Sequence, residues 1–291
     1  MLLSMNIGHL ANKIGHVNAI LASAKAGFDA MDMSFIGMRY GKSPFLGDDY
    51  KERCDEYLAL AKEHGMVFNQ AHAPYGSPYA VTKSECVPHF ERMFECCARL
   101  GVKTVVIHPV QDGQFYLHED EMLRKAIDYY KGLIPMAREY GVKIATENMW
   151  QRDPMRNDLI VDDTCASPEH FCAVVDGVDS EWLTACLDVG HVILCGRDPA
   201  EFIRALGRDR LTALHTHDND CLDDLHAAPF TGKLDWHGFC TALGEIDYTG
   251  DLTYEVIENV NRAPAELCPA VLDYLHSAGR YLIEKINAAR K

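Results

Sequence analysis

Six residues able to ligate a divalent metal stand singly at the ends of six short apolar segments: His72, His108, Glu147, Asp188, His215 and Glu255. Imidazole and carboxylate form a donor set that suits Mn, Co, Mg, Zn or Fe with little discrimination. A cation held by them activates a bound water or stabilises a developing anion. Taken one at a time, each residue has a plainer reading. Strand-end carboxylates commonly accept bonds from loop amides, and the prolines that follow His72 and His108 can simply stop a strand. Their shared position carries the argument.

Two stretches enlarge the set. In Leu187-Asp188-Val189-Gly190-His191 an acid closes a segment and an imidazole follows across a Gly that allows a tight turn, so both can reach one site from two heights. Imidazoles and carboxylates then crowd His215-Thr216-His217-Asp218-Asn219-Asp220 and Asp224-Leu225-His226. Asp235, just before Trp236, has the duller task of capping a helix. His9, His16, His64, His89, His118, His170, His237 and His276 fall on helix faces or loops and receive no role. Trp150 and Phe35 follow segment ends, where they wall a pocket or pack in the core.

The elements that must position these residues alternate strictly. Strands are expected at 2–8, 29–34, 66–72, 103–108, 143–147, 184–188, 211–217 and 252–257, with helices at 17–26, 48–64, 85–100, 119–140, 167–175, 199–206, 236–243 and 267–288. Eight such units imply a parallel sheet closed into a (β/α)8 TIM barrel, a single α/β domain over residues 1–291. Gly27, Gly65, Gly101 and Gly141 each follow a helix where a left-handed cap is needed. Period-2 alternation puts His215 and His217 on one face with Leu211 and Ala213, and sets Thr253 and Glu255 against Leu252 and Tyr254. An acid facing inward from an apolar strand costs several kcal/mol unless paired, which calls for a counter-ion such as a metal.

The formal net charge of -15 opposes nucleic acid and anionic membranes. The eleven cysteines include no CxxC pair and read as reduced thiols. No apolar run reaches membrane-span length, and the N-terminus lacks a charged n-region, so a soluble cytoplasmic protein is expected. A homodimer is the default assembly.

Taken together, Glu147-Asn148, Asp188-x-x-His191, His215-x-His-Asp-Asn, Asp224-x-His226 and the downstream Gly-Lys-Leu-Asp-Trp resemble the xylose isomerase-like TIM barrel superfamily over the whole chain. That superfamily includes sugar phosphate isomerases and epimerases, ketose 3-epimerases, inosose dehydratases and endonuclease IV. The resemblance implies a metal site at Glu147, Asp188, His215 and Glu255. It implies that His191 contacts substrate, as in epimerases, or a further metal, as in the nuclease. The nuclease's additional zinc ligands fall on His72, His108, His191, Asp224 and His226, all matching in type. Asp-Val-Gly-His and His-Thr-His-Asp-Asn, in place of the nuclease's Cys-containing and His-x-Asn-Asp-Ser forms, look like the isomerase/epimerase branch. Against the ketose 3-epimerases, a substrate-binding Glu falls on Asp153 and an Arg on Cys221.

The reading is a divalent-metal-dependent isomerase or epimerase of a sugar or related polyhydroxy carbonyl compound. Glu147 and Glu255 would move the proton through an enediolate. His72, His108, Trp150, Asp153, His191 and His217 would contact the substrate. The alternatives are a trinuclear zinc phosphodiesterase of the endonuclease IV type, an inosose dehydratase-like lyase, and a barrel that binds sugar without turnover.

Overall fold

Eight parallel strands run β1 (Leu3–Asn6), β2 (Ala30–Ser34), β3 (Val67–His72), β4 (Thr104–Val106), β5 (Lys143–Glu147), β8 (Leu183–Asp188), β9 (Leu211–His215) and β10 (Leu252–Tyr254) in a computed structural model that describes residues 1–75 and 86–290. Each pairs with its neighbour in chain order, and β1 also pairs with β10. The last seam is thinner: a single bridge, Thr216 with Tyr254, joins β9 to β10. There the Thr216 amide donates to Thr253 O at 2.9 Å and the Glu255 amide to Thr216 O at 3.3 Å. Pairing that tapers at this seam explains why the strands expected to reach 217 and 257 end earlier.

Helices His16–Ala26, Tyr50–Glu63, Phe90–Leu100, Glu119–Tyr140, Pro168–Val178, Pro199–Arg210, Trp236–Glu245 and Cys268–Ala288 surround the barrel. They bury the main apolar core against the outward faces of the strands. The expected start of the third helix, residue 85, lies outside the described residues. Left-handed φ angles at Gly27, Gly65, Gly101 and Gly141 match the expected helix ends, and Asp235 caps Trp236–Glu245 by accepting from the amides of His237 and Gly238. All eleven cysteines are free. Among the described residues no helix is long and apolar enough to cross a membrane.

The barrel interior divides into two halves. Val106, Ala145, Cys186 and Ala213 form a small apolar plug contributed by β4, β5, β8 and β9. Each stands two residues before His108, Glu147, Asp188 or His215, so the pleat that points the plug inward also points the next polar residue inward, one layer higher. Across from the plug the interior is polar: Ser4 Oγ donates to Asn69 Oδ1 (2.8 Å), Asn69 Nδ2 to Thr253 Oγ1 (3.3 Å), and Gln70 Nε2 to Asp32 Oδ2 (3.1 Å).

Several pieces depart from the simple alternation. Short helices Gly8–Ile14, Val189–Leu194 and Glu258–Arg262 follow β1, β8 and β10, and an antiparallel hairpin of β6 (Trp150–Asp153) and β7 (Leu159–Asp162) is inserted after β5. Asn157 and Asp158, both at positive φ, turn the hairpin, and these are residue types that tolerate that region. Phe35 is fully buried and packs on Phe45 with ring centroids 4.9 Å apart. Its role is core, not pocket wall.

Candidate metal centre and active site

Six strand-end residues meet at the C-terminal mouth of the barrel. Five of them form a closed ring of contacts: His215 Nδ1 lies 3.0 Å from Glu147 Oε1, Glu147 Oε2 3.1 Å from His108 Nε2, and His108 Nε2 3.0 Å from His72 Nε2. His72 Nδ1 is then 3.2 Å from Glu255 Oε1, and Glu255 Oε2 returns to His215 Nδ1 at 3.2 Å. Asp188, the sixth, joins Glu147, His215 and Glu255 in a buried group whose ligand atoms all lie within 4.8 Å of one another.

A second cluster of His191, His217, Asp224 and His226 adjoins this cage. Asp188 links the two: its Oδ1 accepts from the His191 amide at 2.7 Å and lies 2.9 Å from His217 Nε2. Asn148 holds the pair in register, its Nδ2 donating to Asp188 O (2.9 Å) and its Oδ1 accepting from the Asp188 amide (2.8 Å). Asp224 Oδ2 is 3.3 Å from His191 Nε2 and 3.1 Å from His226 Nε2. Gly190 does not form the expected tight turn but sits inside the helix Val189–Leu194. A Cβ there would overlap the His217 ring, so close approach is what calls for glycine.

Charge in this pocket is finely opposed. Burial alone would raise the Glu147 carboxyl, but His215 and His108 outweigh it and hold it well below the usual carboxylate range. Glu255 is lowered in the same way by His215 and His72 against its burial. Burial pulls His215 and His191 down, yet neighbouring anions raise both well above an ordinary imidazole. His226, also opposed by burial, is raised to about 9, chiefly by Asp224. Burial lowers His108.

The donors fit a divalent cation. Glu147 Oε2 and His72 Nδ1 are buried and make no hydrogen bond despite their close neighbours, and His215 Nε2 and Asp224 Oδ1 likewise make none. Three carboxylates converge on one imidazole, with His215 Nδ1 shared between Glu147 and Glu255, and neutral imidazole with carboxylate is a donor set that a divalent cation would complete. Glu147, Asp188, His215 and Glu255 would hold it.

Above the cage lies a cavity of about 530 Å³, in the size range of small-molecule sites. His72, His108, Glu147, Trp150, His191, Asp224, His226 and Glu255 line it, whereas Asp188, His215 and His217 stand behind the wall. His217 stacks on His226 with centroids 4.0 Å apart. Asp153 is not brought here. It is fully buried at the hairpin tip, where Oδ1 accepts from the Met155 amide and Oδ2 lies 3.2 Å from Arg156 Nε. The inserted hairpin carries it away from the mouth.

Other lining residues were passed over in the sequence. His9, on the short helix after β1, faces the cavity, and burial lowers its pKa. Its place just beyond a strand end was the available signal. Tyr75 stacks on His108 at 4.3 Å, its phenol pushed up to about 12 by burial. Gln111, Gln114, Gln151 and Asp163 also line the cavity, and only the hairpin makes Asp163 a neighbour of Gln111.

A family model described as xylose isomerase-like TIM barrel matches residues 20–277. An uncharacterized protein of Methanocaldococcus jannaschii is 27% identical, covering 79% of this chain and 78% of that one. The inosose isomerase of Bacillus subtilis is 26% identical over 60% of each chain, and a probable endonuclease 4 of Geobacter sulfurreducens 26% identical over 49% of each. Among solved structures, a D-tagatose 3-epimerase-like protein superposes with a TM-score of 0.73 at 20% identity, covering 99% of both chains. The IolI protein with a bound zinc atom superposes with a TM-score of 0.74 at 20% identity, again covering 99% of both.

Proposed function

Because the chain belongs to the xylose isomerase-like TIM barrel family, we propose that it is a divalent-metal-dependent isomerase or epimerase of a polyhydroxylated carbonyl compound. One observation carries this reading. Of the four cage residues, only Glu147 and Glu255 also line the cavity. These two carboxylates are therefore both ligand candidates and reachable by a substrate. A divalent cation would supply a Lewis acid that eases charge build-up on adjacent substrate oxygens. Both glutamates are held ionised by their histidines, so either can accept a proton from the carbon beside the carbonyl. Return of that proton by the same residue to the neighbouring carbon, with the hydroxyl proton passing from one oxygen of the enediolate to the other, isomerises the substrate. Delivery to the opposite face by the other glutamate, recharged from solvent, epimerises it. Incubation of Mn-, Co-, Mg- or Zn-loaded protein in D2O with ketoses, their phosphates and inososes tests the reading. Deuterium beside the carbonyl is expected; absence of exchange with every compound overturns it.

A second reading rests on the ligand-type residues that flank the cage, with His72, His108 and Glu147 grouped on one side and His191, His217, Asp224 and His226 on the other. That set suits a trinuclear phosphodiesterase. Three zincs per chain together with cleavage of a duplex bearing an abasic site would replace the isomerase reading.

A further inference from the structure

The cavity wall beside Trp150 is built from side-chain amides around one buried acid. Asp163 is 2% exposed, and its Oδ2 accepts from Gln111 Nε2 at 2.7 Å while Oδ1 accepts from the Thr164 amide at 2.6 Å. Thr164 Oγ1 in turn donates to Val110 O at 2.8 Å, tying the hairpin's exit to the loop after β4. Gln151 sits beside the Asp163 carboxylate and helps to stabilise its charge, and Gln114 Oε1 is buried without a hydrogen-bond partner. Unpaired amide atoms in a wall cost free energy unless a ligand satisfies them. None of these four residues belongs to the ligand clusters.

Each amide presents a donor and an acceptor whichever way it is turned, which matches a hydroxyl, itself one donor and two acceptors. A phosphate dianion offers acceptors almost alone, and a carboxylate in the wall repels it. Arg152, the one lysine or arginine lining the cavity among the described residues, is engaged: Nη2 donates to Asp223 Oδ1 at 2.5 Å and Nη1 to Asp158 O at 3.1 Å.

We propose that Gln111, Gln114, Gln151 and Asp163 form the subsite that reads the hydroxyls at the far end of the substrate, and that this wall selects a free polyhydroxylated compound over its phosphate ester. The proposal rests on the isomerase reading for its substrate class, but its test does not require turnover. Binding of xylitol and myo-inositol, and of their monophosphates, is measured by calorimetry on the metal-loaded protein. The free polyols bind more tightly than their phosphates, and Gln111→Leu and Gln114→Leu each weaken polyol binding about tenfold, the loss of one or two hydrogen bonds, with metal content unchanged. Gln111→Asn, which keeps the amide, recovers part of that loss, as a merely structural position would not. Tighter binding of the phosphates, or polyol affinity unmoved in both leucine variants, overturns the subsite. Failure of the D2O exchange assay overturns the isomerase reading instead, so the two results remain distinct.

Discussion

The cage residues end strands of the barrel, whereas His191, Asp224, His226 and the amide wall ride on short helices, loops and the hairpin. The strand-borne group is held by the sheet and by the plug beneath it, and it gathers Glu147, Asp188, His215 and Glu255 into a set that could hold a metal ion. The loop-borne groups are only partly paired: Asp224 Oδ2 lies between His191 and His226 and Asp163 is bonded by Gln111 and Thr164, while Asp224 Oδ1 and Gln114 Oε1 have no partner. Under the proposed isomerase reading, positions fixed by the scaffold would carry the chemistry and positions on connections would adapt it to a substrate.

This contrast breaks most visibly at Glu147. Glu147→Gln removes a candidate ligand and a candidate base together, so solvent exchange falls at least about a hundredfold and metal content drops. Exchange at the wild-type rate would remove Glu147 from the chemistry. Chelation comes next. A cation present at about 1,000 times its dissociation constant contributes about 4 kcal/mol, so its removal lowers the melting temperature by roughly 6–7 °C for a domain of this size. A melting curve unmoved by chelator would mean that the cage holds no cation tightly.

Asp224→Asn sharpens the comparison from the loop side. Under the isomerase reading kcat/KM falls about tenfold, the loss of one charged contact, while one metal per chain remains by elemental analysis. A fall from three metals to two favours the phosphodiesterase.

The smallest effect is at Asp163, whose carboxyl is pushed up to about 6 from 3.8 by burial, against the bonds from Gln111 and Thr164. A raised carboxyl pKa means that the folded state binds the proton more tightly than the unfolded chain. Its stability penalty is therefore absent below the unfolded value and complete above the folded one. Asp163→Asn is expected to stabilise the protein by about 1–3 kcal/mol at pH 8, within the free-energy equivalent of that shift, and to lose this gain as the pH falls from 6 to 4. Denaturant melts at both ends of that window check the sign.

Much of the strand-borne region was legible in the sequence. Ala145 before Glu147, Cys186 before Asp188 and Ala213 before His215 display the period of two that puts both members on one face, and Gly27, Gly65, Gly101 and Gly141 mark where β2, β3, β4 and β5 begin. The loop-borne region was harder to read. Asp153 had the right spacing for a substrate contact, but a hairpin with no apolar alternation strong enough to announce it carried Asp153 to its tip and brought Asp163 to the cavity.

By itself, then, the sequence determined the residue types, their place at strand ends and which of them share a strand face, because pleat and helix periodicity are local properties of the chain. Tertiary structure decided which of them meet. Barrel closure joins the first strand to the last and so sets Glu255 beside Glu147 around one imidazole. Packing leaves His215 and Asp188 behind the cavity wall while Glu147 and Glu255, though buried, line it, because convergence of residues more than a hundred positions apart depends on the curvature of the whole sheet.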